Sequence, residues 1–295
     1  MSRTLRLGAL FLATLAAFPL FSQTYTGSIA GRVTDSSGAA VPEVAIAVTD
    51  VNTNAVTRTT TNSFGDYLVS FLKPGTYSVT FSKSGFKEQV QQGLALQINQ
   101  QLRVDTGMQV GAVSDKVEVS ASAELINYTS PEIGHVVGEE QLMNIPLVAT
   151  NSRGRATVLL SKLVPGVTST SANNSNINNF SFGGGRPVTN EILVDGLPTT
   201  NPSDQTYTLT PSPESIQEFK VITTPFSAEF GHTGGGVMIL TSKSGSNVLH
   251  GFVFDYFRNR LLNAAPVFGS ASPLKYVQND PGITIGGPVV IPKVY

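Results

Sequence analysis

The chain of 295 residues carries a net charge of -1, with 13% charged and 40% hydrophobic residues and neither Cys nor Trp. An average soluble domain has roughly 25% charged residues, so the surface must be built largely from Ser, Thr, Asn and Gln, as in secreted β-rich proteins. The near-zero charge excludes a basic field for nucleic acid, and the absence of Cys excludes disulfide frameworks, thiolate metal sites and Cys nucleophiles together.

Arg3 and Arg6 precede an apolar run from Leu7 to Leu20, and the polar Ser22 and Gln23 follow it. A basic start, an apolar core and a polar exit predict a secretory signal peptide over residues 1–22. The run is shorter than the roughly 20 apolar residues of a spanning helix. Export of the mature chain is expected.

Residues 26–108 show period two. Ile29, Gly31 and Val33 alternate with polar neighbours, as do Val44, Ile46 and Val48, and then Tyr77, Val79 and Phe81. That period predicts strands with one face in a core. Turn clusters separate them: Asp35 to Gly38, Asn62 to Asp66, Lys73-Pro74-Gly75 and Ser84-Gly85. Gly75 is expected to take the positive φ of a tight Pro-Gly turn, with Tyr77 pointing into the core. Short strands with frequent turns predict an all-β sandwich. The run Gly31-Arg32-Val33-Thr34-Asp35 with Gly38, then Asn62 to Tyr67, Leu72 to Val79 and Gly85-Phe86 resembles the carboxypeptidase regulatory-like family of transthyretin-like, carbohydrate-binding-like β-sandwiches. The resemblance implies a spacer or docking module. It does not imply a peptidase, because the segment contains no His for a zinc site. Glycan binding is an inherited option, without a Trp platform to support it.

Residues 109–122 form a linker. Within it Asp115-Lys116-Val117-Glu118-Val119-Ser120-Ala121 places an acidic residue before alternating Val. The pattern resembles a TonB box, which works by β-augmentation: an extended strand gives its backbone hydrogen bonds to a partner's sheet. The alternative is that it forms the first strand of the next domain.

Residues 123–247 mix short helices and strands with long polar loops, which predicts a small α+β domain. Glu139 to Leu147 reads as a helix ended by Pro146, and Arg155 to Val164 as a second one stopped by Pro165-Gly166. The polar stretch Ser169 to Asn179 reads as a loop. Glu191 to Val194 reads as a strand before the turn Asp195-Gly196, Ser212 to Ile216 as a short helical stretch, and Phe219 to Thr223 and Val237 to Ser242 as strands. Eight ordered blocks resemble the plug domain of TonB-dependent receptors, in the Oar-like branch with an N-terminal regulatory-like sandwich. They are Asn144 to Leu147, Leu163 to Val167, Phe182 to Arg186, Ile192 to Gly196, Ser215 to Val221, Ser227 to Gly231, Gly234 to Val237, and Thr241 to Asn247 leading to His250-Gly251.

The other motifs here have plainer readings. Gly183-Gly184-Gly185-Arg186 lacks the Lys-Ser/Thr ending of a phosphate loop. Gly234 to Gly236 are expected to allow close backbone packing where the plug passes to the barrel wall. Asp195 reads as a turn residue. His135, His232 and His250 lack the spacing of metal ligands, and nothing in the sequence raises a pKa at Glu218 or Glu229.

From residue 248 an aromatic-rich strand begins, with Leu249, Phe252, Phe254, Tyr256 and Phe257; Val277 to Gly287 and Val289 to Val294 follow as further strand-like runs. Membrane barrel strands run about 9–11 residues with aromatic girdles, and plugged transporters need about 22 of them. Residues 248–295 therefore read as the incomplete start of an outer-membrane β-barrel, and the chain as a fragment.

The expected fold is mainly β: a sandwich, an α+β plug and the first barrel strands. The expected function is outer-membrane reception and gated uptake, with the N-terminal domain in the periplasm and no catalytic, cofactor or metal site. The resemblance implies a TonB-type periplasmic energy-transducing partner, outer-membrane lipid around the full barrel and an extracellular substrate, such as a glycan or peptide. The alternative is a secreted or surface carbohydrate-binding adhesion protein built on the sandwich.

Overall fold

A computed structural model describes residues 26–111, 116–120, 132–145, 157–169, 180–201, 207–209, 211–224, 230–231, 233–262 and 277–289. The leader at 1–22, residues 170–179 of the polar loop, Glu229, His232 and residues 290–294 of the last strand-like run lie outside the described residues.

The first domain contains β1 (Gly27–Asp35), β2 (Ala45–Asp50), β3 (Val56–Thr60), β4 (Asp66–Leu72), β5 (Gly75–Ser82), β6 (Glu88–Leu96), β7 (Gln101–Arg103) and β8 (Thr106–Met108). A further strand, β9 (Lys116–Ser120), follows in the linker. One sheet runs β4-β1-β7, with β8 also on β1; the other runs β3-β2-β5-β6-β9. Between them lies a core of Ile29, Val33, Ile46, Val48, Tyr67, Tyr77, Val79 and Phe81 with their neighbours. The period-two positions are thus the buried ones, as a two-layer β fold requires.

The motif residues each have a physical task. A Cβ on Gly31 would collide with the Val104 carbonyl, so only Gly lets the segment between β7 and β8 lie against β1. The Asp35 carboxylate accepts from the Ser37 and Ala39 amides at 2.8 and 2.9 Å, closing the first turn. Asn62 does the same for Phe64 and Asp66, both at 2.9 Å. The buried Tyr67 hydroxyl donates to the Val104 carbonyl at 2.8 Å. Gly75 departs from expectation: it opens β5 without a positive φ, and Phe71 instead takes φ 62° before the turn. Phe71 lies three residues before Pro74, still inside β4, where the pairing with β1 shifts register, and Gly75 stays extended. In β6, Gly93 at φ 75° coincides with a bulge against β5. The extra residue resets the alternation, so that Gln91 and then Leu94 and Leu96 face inward.

The second domain begins with β10 (Ile133–Gly138) and the helix α1 (Glu139–Asn144). Glu139 and Glu140 suit the positive end of α1, Leu142 anchors it in the core, and it stops ahead of Pro146. A 3₁₀ helix, Thr157–Leu163, stands where an α-helix was expected, and Pro165-Gly166 turns it into β11 (Val167–Ser169). Then come β12 (Phe180–Phe182), β13 (Glu191–Val194), β14 (Leu197–Pro198), β15 (Ile216–Thr224) and β16 (Val237–Ser242). The main sheet runs β10-β15-β16-β13-β14, with only β13 and β16 parallel.

This sheet is buried on both faces. Phe219, Val221, Met238, Leu240 and Ile192 pack into the domain's own core with Leu142, Phe180 and Phe182. Ile222, Val237, Ile239 and Leu193 point the other way, toward Phe230 and Ile98. The Gly-rich run does allow close packing, as expected: a Cβ on Gly236 would come within 2.6 Å of both the Ile222 carbonyl and the Phe182 side chain.

The last described elements are β17 (His250–Asn259) and β18 (Val277–Gly286), an antiparallel pair in unbroken register from His250↔Gly286 to Asn259↔Val277. One face carries a ladder of Phe252, Phe254 and Tyr256 with ring centroids 5.4 and 5.2 Å apart. The other presents Val253, Phe257, Ile283 and Ile285, all exposed.

Candidate functional site: strand β9 and the domain junction

Of the seven residues expected to bind a partner, Lys116 to Ser120 form β9, and Asp115 and Ala121 lie outside the described residues. The strand joins the sheet that precedes it: it runs parallel to β6 from Glu88↔Lys116 to Gln92↔Ser120. The alternative, a first strand of the following domain, is therefore overturned; β10 opens that sheet. Among the described strands β9 is the outermost of its sheet, with nothing paired on its far side.

The turn that leaves β6 does something the sequence did not announce. Its residues 97–100 are tied back by Gln100, whose side chain accepts from the Gln97 amide at 2.8 Å and whose carbonyl accepts from Ser28 at 2.9 Å. Asn99 sits at φ 50°. This geometry thrusts Ile98 out of the first domain and into the second, where it is buried against Ile222, Phe230 and Ile239. Burying such a side chain is worth about 1.5–3 kcal/mol.

Polar groups ring the seat. Glu218 and Lys220 alternate on the same face of β15 as Ile222. The Ile98 amide donates to the Glu218 carboxylate. Lys220 Nζ bonds the Glu132 carboxylate at 3.1 Å, both side chains being only 9% exposed, and reaches the Asn99 carbonyl at 3.4 Å. Burial pushes the Glu218 carboxyl up to about 7, against the opposing pulls of the Ile98 amide and Lys220. Two outer contacts widen the junction: the Gln217 side chain donates to the Pro74 carbonyl at 3.1 Å, and that of Asn247 to the Thr53 carbonyl at 2.7 Å.

Sequence reading missed both Ile98 and the Glu218 environment. The only available signal was the pair of charged residues, Glu218 and Lys220, alternating with the apolar Phe219 and Val221 in the same strand. Asp195 is a turn residue as expected, at φ 48°, with its carboxylate accepting from the Ser242 amide at 2.9 Å. Among the described residues no group of three or more His, Cys, Asp or Glu gathers as metal ligands.

Family comparison finds three matching segments. The carboxypeptidase regulatory-like domain model matches residues 28–109, the TonB-dependent receptor plug domain model residues 148–237, and an outer membrane beta barrel domain model residues 241–295. Its second domain is thus similar to the plug of TonB-dependent receptors. It is 29% identical over 287 residues to the TonB-dependent transporter Oar of Myxococcus xanthus, covering 93% of this chain and 26% of that relative. The chain thus spans about a quarter of the curated relative's length. Among solved structures it is similar to the siderophore receptor PirA of Pseudomonas aeruginosa, at 21% identity over 53% of this chain and 24% of that one, with a TM-score of 0.36. The ferric enterobactin receptor of the same organism matches at 20% identity, over 54% and 22% of the two chains, with a TM-score of 0.38. The last segment, residues 241–295, is similar to barrels of the outer-membrane kind. The second domain is accordingly called the plug below, and the first the sandwich.

Proposed function

We propose that this chain supplies the periplasmic sandwich, the plug and the opening barrel strands of an outer-membrane receptor that takes up an extracellular substrate. A TonB-type periplasmic protein grips residues 115–121 and pulls, and the plug rearranges to open a path. The observation that carries this reading is the handover from plug to hairpin: β16 of the plug leads within eight residues to β17, whose pairing with β18 leaves a mostly apolar face of Val253, Phe257, Ile283 and Ile285 exposed. Such a face is stable in hydrocarbon only when the backbone is paired into a closed barrel. Val253, Ile283 and Ile285 would face lipid in that barrel. The sandwich is fastened to the plug through Ile98, which argues for a module of the receptor over a free adhesion protein.

A photo-reactive residue placed at position 117 in living cells tests the reading. A covalent adduct with the TonB-type protein is expected, in the outer-membrane fraction. Recovery of the chain in that fraction with no adduct would remove the partner assignment, and recovery outside that fraction would remove the transport reading itself.

A further inference from the structure

The geometry points to the sandwich as the presenter of the partner-binding strand: β9, held on β6, offers its free outer edge to an extended strand of the periplasmic protein, and β6 links that edge to the plug. The inference rests on the proposed reading of residues 115–121 as the partner's grip.

Three observations carry it. First, β9 is already extended and paired over five residues. A strand in a free linker would have to be ordered when its partner binds, at roughly 1–2 kcal/mol of backbone entropy per residue. Pairing with β6 has met that cost in advance. Second, the outer side of β9 carries a row of N–H and C=O groups that no described strand satisfies, and such a row is a template for strand addition. Among the described strands the sandwich sheet ends there, at β9, and its opposite edge is β3. Third, β6 does not end at the sandwich. It continues through Gln97 to Ile98 and Asn99, which seat on β15 against Glu218, Lys220 and Ile222. A load applied to β9 therefore passes across one ladder to β6 and from there into the central region of the plug sheet. Displacing β9 from β6 would break that route, whereas adding a strand to its outer edge preserves it.

Presentation and displacement differ in one measurable respect. Adjacent strands lie about 4.8 Å apart, within the span a disulfide bridges, and Gln89 faces Val117 in the register. The double substitution Gln89→Cys and Val117→Cys introduces the only two thiols of the chain. The whole chain, purified in detergent, is titrated with the isolated periplasmic domain of a TonB-type protein, in oxidised and reduced forms. A free peptide of residues 112–122 and the chain lacking residues 115–121 are titrated in parallel. Hydrogen-exchange protection of β5 serves as the check that the sandwich is folded. The oxidised chain is expected to bind at least as tightly as the reduced one, and both about tenfold or more tighter than the peptide. Binding that is lost on oxidation and restored by reduction would overturn presentation in favour of displacement. Binding that survives deletion of 115–121 would overturn the grip itself, a different failure with a different signature.

Discussion

Raising the pH from 5 to 8 is expected to loosen the seat of Ile98, and the size of the effect follows from Glu218. Its carboxyl is buried at the junction and lifted from 4.5 to about 7. Below the unfolded value both states hold the proton and the full stability is present. Between the two values the unfolded or undocked carboxyl has lost its proton while the docked one keeps it, so stability falls as pH rises, and the loss is complete above about 7. At 1.36 kcal/mol for each unit, the change is about 3 kcal/mol. The assay is hydrogen exchange of the peptide covering residues 97–102, corrected for the intrinsic pH dependence of exchange. Protection is expected to drop about a hundredfold between pH 5 and pH 8. The Glu218→Gln variant keeps a carbonyl oxygen for the Ile98 amide but cannot ionise, so its protection should stay flat. An equal drop in wild type and variant would refute the reasoning, as would a flat wild type.

Two further outcomes come from the same geometry. Lys220→Met removes the cation from beside the buried Glu132 carboxylate and is expected to cost about 3–5 kcal/mol in urea unfolding, while adding Glu132→Gln should recover most of that loss; no recovery would remove the pair from the account. Gly31→Ala forces β1 away from the segment between β7 and β8, with about 1–3 kcal/mol of destabilisation expected in thermal melts of the sandwich; an unchanged melting temperature would show that Val104 yields freely.

Much of the sandwich was legible because its strands are half-buried, so the pattern of side chains carries the pattern of faces. Val44, Ile46 and Val48 needed no more than that. Phe71 shows the limit: its positive φ belongs to an irregularity in the pairing of β4 with β1, set by a partner strand distant in sequence, and Pro74-Gly75 marks the turn without revealing it. Ile98 shows a deeper one. It follows Leu94 and Leu96 at period two, so local pattern assigns all three to one core, yet they serve two domains. Only the return of Gln100 to Ser28 decides where the turn points, and that contact joins residues far apart in the chain. Glu218 and Lys220 were illegible for a related reason. Nothing within β15 makes a charged pair buried; the covering comes from Ile98 and Asn99 of the other domain and from Glu132, all far away in sequence. Likewise Lys116 to Ser120 read as an extended strand, but its choice of sheet depends on β6 having an open edge, which no feature of the strand itself reveals.

The peg-and-socket form of the junction has a consequence for how such receptors diversify. If the sandwich were joined to the plug by a plain tether, any sandwich of the same fold would serve in its place. Here the length of the turn between β6 and β7 sets how far Ile98 projects, and Asn99 must bring its carbonyl to Lys220. Recombination that exchanges residues 26–111 without residues 216–222 would deliver a folded module with the wrong key. The two segments, more than a hundred positions apart, have to match for Ile98 to seat.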